Sequence, residues 1–196
     1  MKTLIISAGH NPQKSGASWQ GIREHDQAMK WVNEIADYLT LKQVKVIQVA
    51  TGSLREKVEH VNQWVNIDKN SIAVELHFNA AGTTYVQGNE TLYYPNSVAG
   101  KQLATTFNTK FMELAQQWVI KDRGVKEGWY RMDRPGVIDF YGDEDGDEMP
   151  DYWLRKTKCP SLILEPCFMC QLTDIGESWK QVAHAVAEAL LDSLQE

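Results

Sequence analysis

The run Thr3-Leu4-Ile5-Ile6-Ser7 is apolar and β-branched, and it empties into AGHNPQKSGAS, a stretch of loop formers. That pattern reads as a buried strand followed by a loop. From Ile22 onward, Ala28, Trp31, Val32, Ile35, Ala36 and Leu39 recur at three- and four-residue intervals, which predicts a helix. Residues 44–50, VKVIQVA, alternate as a strand does. In SLREKVEHVNQWV, Ser53 stands three residues before Glu56, the capping-box spacing that opens a helix. SIAVELHFNA (71–80) predicts a strand, GNETLYYP (88–95) another nearer a sheet edge, and residues 97–118 a helix through Val98, Leu103, Phe107, Phe111 and Leu114. SLILE (161–165) closes the strand set. A last helix is expected from about Asp174, burying Trp179, Val182, Val186, Leu190 and Leu194.

Strands alternating with long helices favour an α/β fold: a mostly parallel twisted sheet with helices on both faces. The 196 residues show no composition seam that would divide them, so residues 1–196 are expected to form one catalytic domain. Ligands of such sheets gather at the carboxyl ends of the strands. Three strands end in a metal ligand or an acid, namely His10, His77 and Glu165, and these should converge.

Charge and apolar content exclude several functions. The net charge of −6 and the lack of a Lys/Arg cluster argue against a nucleic-acid face. No segment approaches the ~20 apolar residues of a membrane span, and the opening MKTLIISAGHNPQ is too short for a signal-peptide core. The expectation is a chain made in the cytoplasm without a signal peptide. Cys159, Cys167 and Cys170 form an odd set, and CFMC lacks a second pair to complete a four-thiolate site, so free thiols are expected.

A proline and a glutamate directly behind the apolar run of SLILE raise a question of charge. A buried unpaired carboxylate is costly, so Glu165 needs a partner or a chemical task. His10, Glu24, His77 and Glu165 together could build a catalytic zinc site, with three protein ligands, water in the fourth position, and the remaining glutamate as base. His25 competes with Glu24, because neighbours on a helix differ by about 100° and only one can face the site. His60 and His184 read as solvated.

These residues resemble the zinc-dependent N-acetylmuramoyl-L-alanine amidases, the peptidoglycan amidases of autolysins and phage endolysins, nearly end to end. SAGHNPQKSGAS is similar to the family's opening strand and histidine loop, REHD to its acidic ligand, and VELHFNA to the segment with the second histidine. GNETLYYP, RGVK (123–126) and CPSLILEPCFM follow in the family's order. The resemblance implies Zn2+ held by His10, Glu24 and His77, with Glu165 catalytic and Asn79 as a substrate-binding candidate. It also implies hydrolysis of the amide between N-acetylmuramic acid and L-alanine of the stem peptide, with peptidoglycan as the partner. A monomer that acts on the cell wall after holin-type release, as phage endolysins do, is the expected setting. Cys167 stands where the family has glycine, and Glu75 and Phe78 where it has small or aliphatic residues, so a differently shaped cleft floor and rim is expected. A zinc carboxypeptidase and an inactive peptidoglycan-binding module are the alternatives.

Residues 127–158 are longer than a simple connection and are expected to form an insertion or lid. Within them Asp143, Asp145, Asp147 and Asp151 surround a glycine turn, oxygen-rich chemistry of the kind Ca2+ takes, although Tyr141 and Tyr152 break the EF-hand pattern. Trp129, Tyr130, Tyr141 and Trp153 are either a glycan-facing lip or its packing.

Overall fold

Leu4, Ile6 and Ala8 of strand β1 (Thr3–Ala8) lie in one apolar cluster and Ile5 in a second, the two-sided burial of a strand inside a sheet. The same division holds along β5 (Ser71–Leu76) and β8 (Ser161–Glu165). Ile72, Val74, Leu76, Leu162 and Leu164 share the first cluster, and Ala73 and Ile163 the second. The computed structural model describes residues 2–49, 51–128 and 151–195.

With β4 (Val46–Gln48), β6 (Asn89–Tyr93) and β7 (Asp122–Glu127), these strands form a six-stranded sheet of order β4-β1-β5-β8-β6-β7. The first four are mutually parallel; β6 runs antiparallel to β8, and β7 parallel to β6. Helices α1 (Glu24–Leu41), α3 (Val98–Leu114) and α6 (Trp179–Gln195) cover one face through Trp31, Ile35, Phe107, Phe111, Val186 and Leu190. Helices α2 (Leu54–Ile67) and α4 (Tyr152–Lys156) cover the other through Val58, Val61, Val65, Trp153 and Leu154. Full burial of each such side chain is worth about 1.5–3 kcal/mol, so the two layers hold the sheet between them. The capping box expected at Ser53 and Glu56 is formed.

The structure departs from the sequence reading in five places. Ile22 does not begin the helix; it pairs with Trp19 in a hairpin of β2 (Ser18–Trp19) and β3 (Ile22–Arg23). Gln20 and Gly21, both at positive φ, make the two-residue turn that this pairing requires. β7 was not foreseen: DRGVKE is a charged edge strand with no apolar run to announce it. Val98, expected on the buried face of α3, is exposed. The last helix is interrupted, with α5 (Leu172–Ile175) ending at Gly176 (φ 49°) before α6 begins at a half-buried Trp179. His60 and His184 are not simply solvated. His60 Nε2 accepts from the Trp64 indole N–H, and His184 stacks on Tyr38 while its Nε2 meets Glu34 at 2.8 Å.

No helix among the described residues is long and apolar enough to cross a membrane. Cys159, Cys167 and Cys170 are free thiols; burial pushes Cys159 up to about 12 and Cys167 well above the usual thiol range, so neither is a ready nucleophile.

Candidate active site

β1 and β5 are neighbours in register, with Ala8 opposite Leu76, so the chain leaves both strands at the same edge of the sheet. The Gly9 amide donates to the Leu76 carbonyl (2.7 Å), and His10 turns out of the strand at φ 59°, a left-handed conformation unusual for a residue with a side chain. His77 follows β5 directly, and its amide donates to Leu164 of β8 (2.9 Å). Leu76 pairs with Leu164, so the next residue on β8, Glu165, lies beside His77.

Glu24, the first residue of α1, closes the cluster from above. Its Oε2 lies 3.1 Å from His10 Nε2, and its Oε1 3.1 Å from His77 Nδ1. The backbone N–H groups of Ala17 and Phe78 donate to the same two oxygens at 2.9 and 3.2 Å. The imidazole rings meet edge to face at 4.9 Å. One ligand atom from each of His10, Glu24 and His77 can be chosen so that all lie within 4.8 Å of one another, and this is the one cluster among the described residues able to hold a metal ion. Two glycines make room for it. A Cβ on Gly9 would sit 2.4 Å from the His77 ring, and one on Gly16 (φ +72°) 2.3 Å from His10 and 2.5 Å from Glu24.

The helix turns Glu24 and His25 to different partners. His25 is buried, and its Nδ1 lies 2.7 Å from the Gly9 carbonyl; a carbonyl only accepts, so Nδ1 carries the hydrogen. His25 thus braces the loop that presents His10.

Electrostatics favour a cation between the three side chains. Burial on its own would raise the Glu24 carboxyl, but the bonds and charges of His10 and His77 outweigh it and hold Glu24 far below the ordinary carboxylate range. Burial likewise would lower His77, whereas Glu24 and Glu75 raise it well above an ordinary imidazole. Two imidazole nitrogens and an ionised carboxylate at this spacing match the donor set of a four-coordinate transition-metal site.

Glu165 has a different environment. It is 4% exposed, and its Oε2 has no hydrogen-bond partner among the described residues. Burial pushes its pKa well above the carboxylate range; His77 opposes this, and the charges of Glu24 and Glu90 add to it.

Three residues that the sequence reading did not single out complete the wall. Because β6 runs antiparallel to β8, its start lies at the same edge and Glu90 faces Glu165. Glu90 Oε2 accepts from Arg123 Nε (2.8 Å) and from Lys126 Nζ, both on β7, and its Oε1 accepts from Asn79 Nδ2 (2.7 Å). The signal was present as an acid in the strand GNETLYY followed by the cations of RGVK, but the reversal of strand direction that unites them is not written locally. Asn79 is placed here against Glu90, and Glu75 lies behind His77, contacting its Nε2 at 3.3 Å, so it does not shape the cleft floor.

Asp151 caps α4 by accepting from the Leu154 amide and is buried, and burial together with the charge of Glu75 pushes its pKa up to about 7. A carboxyl so held does not belong to an open acidic calcium loop, and Ca2+ binding has no support. Asp143, Asp145 and Asp147 lie outside the described residues, as do Trp129, Tyr130 and Tyr141. Trp153 is packing: it is fully buried in the cluster between α2 and the sheet.

The N-acetylmuramoyl-L-alanine amidase family profile matches residues 4–195. An endolysin of Bacillus phage SPP1 is 28% identical over 131 residues, 64% of this chain and 47% of that protein, so the matched stretch spans about half of the relative's length. The solved structure of the N-acetylmuramoyl-L-alanine amidase from Clostridium difficile 630 superposes with a TM-score of 0.78 at 20% identity, covering 100% of this chain and 97% of that one. The catalytic domain of CwlV, an N-acetylmuramoyl-L-alanine amidase from Bacillus (Paenibacillus) polymyxa var. colistinus, gives 0.75 at 20% identity, covering 100% and 99%. These structures share the single-domain α/β fold.

Proposed function

This chain belongs to the N-acetylmuramoyl-L-alanine amidase family, and from that premise we propose that it performs a zinc-dependent hydrolysis of the amide between the lactyl group of N-acetylmuramic acid and L-alanine of the peptidoglycan stem. The observation that carries the reading is the convergence of His10, Glu24 and His77 beside a buried Glu165 whose Oε2 lacks a partner among the described residues. His10, Glu24 and His77 would hold the metal. A bound zinc ion supplies Lewis acidity, which acidifies water and polarises the substrate carbonyl.

Glu165 then needs to do one thing well, which is to move a proton. It accepts the proton of the attacking water and delivers it to the alanine nitrogen as the C–N bond breaks, leaving a carboxylic acid on the lactyl group and a free amine on the peptide. Its buried position raises its proton affinity, which suits both halves of that task. Asn79, held by its bond to Glu90, would contact the substrate. Residues 1–196 act as one catalytic domain, with 127–158 an insertion or lid within it, of which Trp153 and Leu154 are buried in the core. The protein works as a monomeric lysis enzyme of the phage endolysin kind, reaching the wall through a holin.

Purified protein should contain zinc and should release intact stem peptides and naked glycan strands from isolated cell walls, read by mass spectrometry. Trimmed stems would mean a carboxypeptidase and absence of release a binding module, and either result overturns the reading. A carboxypeptidase needs a cation for the substrate's terminal carboxylate; Arg123 and Lys126, the cations brought nearest to Glu165 by β7, are engaged with Glu90.

A further inference from the structure

The proposed reaction makes no use of a buried ion pair that lies directly behind His77. Lys57, in the first turn of α2, is 2% exposed, and Glu75, in β5, is 3% exposed. Lys57 Nζ donates to Glu75 Oε1 (3.0 Å) and to the carbonyl of Ala8 (2.6 Å), the last residue of β1. Glu75 Oε2 in turn lies 3.3 Å from His77 Nε2.

Stability alone is a poor reason for such a pair. Removing two charges from water costs about as much as their attraction returns, and an apolar pair of similar volume is often as stable. A cation in the first turn of a helix also opposes the helix dipole. Around it the second cluster is apolar, with Ile5, Val58, Val61 and Ala73 on the same face of the sheet.

The geometry of His77 supplies a reason. A neutral imidazole carries hydrogen on one nitrogen and a lone pair on the other, and only the lone pair binds a metal. His77 stands between two carboxylates, Glu24 at Nδ1 (3.1 Å) and Glu75 at Nε2 (3.3 Å). His10 meets the other oxygen of Glu24, so the Nδ1 side is the metal side. An ionised Glu75 can only accept, so it selects the form with hydrogen on Nε2.

We propose that Glu75 and Lys57 are positioning residues that fix His77 with Nε2 protonated and Nδ1 turned to the metal. Lys57 makes a buried carboxylate tolerable at that point and, through the Ala8 carbonyl, ties the strand that leads to His10 to the same anchor. The proposal rests on the zinc reading of His10, Glu24 and His77. Carboxylates that orient a metal-binding histidine typically change metal affinity about 10–100-fold when removed.

The test is zinc affinity, measured on the full chain by competition with a chromophoric chelator, beside thermal unfolding of the metal-free protein. Lys57→Met/Glu75→Leu should melt no earlier than the parent yet bind zinc about 10–100-fold more weakly. Lys57→Met/Glu75→Gln, whose amide oxygen still accepts from Nε2–H, should regain most of that loss. A long-range 1H–15N spectrum of the zinc-loaded parent, which needs no variant, should show hydrogen on Nε2 of His77. Hydrogen on Nδ1, or parental zinc affinity in the apolar double variant, overturns the proposal while leaving the zinc reading intact. Failure of the parent to bind zinc overturns both.

Discussion

Glu90 and Glu165 stand directly opposite one another across the antiparallel β6–β8 pair, and the ion pairs of Arg123 and Lys126 go to Glu90, with only the more distant charge of Lys126 easing the ionisation of Glu165. Like charges in that relation repel, so ionising the second carboxylate is costly and the proton stays on Glu165 to a higher pH. Glu90→Gln removes one upward push on Glu165 and releases two cations to stabilise its ionised form. If Glu165 must be ionised to accept a proton from water, the acid limb of the kcat/KM profile should move to lower pH. A limb that stays put, or moves up, would show that another group governs it.

Glu165→Gln keeps the shape of the side chain and removes its basicity. Because Glu165 is outside the cluster of His10, Glu24 and His77, zinc content should be unchanged while turnover falls about 10²–10⁴-fold, the usual worth of a positioned acid–base group. Metal analysis beside a peptide-release assay checks both halves. Robust turnover in the variant removes Glu165 from the mechanism.

Gly16 and Gly21 allow backbone strain to be separated from crowding at His10 and Glu24. Both hold positive φ, but a Cβ on Gly16 would strike His10 and Glu24, whereas nothing lies within 4 Å of one on Gly21. Alanine at either should cost about 1–3 kcal/mol of stability through the left-handed conformation. Loss of zinc affinity should follow Gly16→Ala only, as chelator competition would reveal; equal loss in both would mean that the loop, not the contact, sets the site.

Asp151 offers a stability test with a defined sign. Its folded pKa of about 7 lies above its ordinary value of 3.8, so the folded state binds the extra proton between those limits. The contribution is therefore fully present below about pH 4 and lost as pH rises through 7. Asparagine caps a helix as well as aspartate and carries no charge. Asp151→Asn should raise the melting temperature relative to the parent at pH 8, with the gain shrinking as pH falls through 7 and vanishing below about pH 4. A variant that melts earlier at pH 8 would show that Asp151 is ionised and satisfied in the fold.

How far the chain declares itself depends on the range over which each signal acts. The apolar runs of β1, β5 and β8, the periodic face of α1 and the cap at Ser53 and Glu56 are local, since each residue's neighbours in sequence are also its partners in the element. Their order implied an α/β sheet with His10, His77 and Glu165 at one edge, because parallel strands deliver the residues at their carboxyl ends to the same side. The structure brings these together as that rule requires.

Elsewhere the deciding partner is distant along the chain. The strand DRGVKE exists because β6 offers it an edge, and Glu90 reaches Glu165 because β6 reverses direction beside β8. Nothing local in the sequence pairs Lys57 with Glu75; they meet only when α2 folds over β5 and buries them together. Periodicity and motif thus settled the layers and the convergence of His10, His77 and Glu165. Tertiary packing alone decided which charges are paired, which nitrogen of His77 faces Glu24, and which carboxylate oxygen is left without a hydrogen bond among the described residues, because burial and pairing are properties of space and not of order along the polymer.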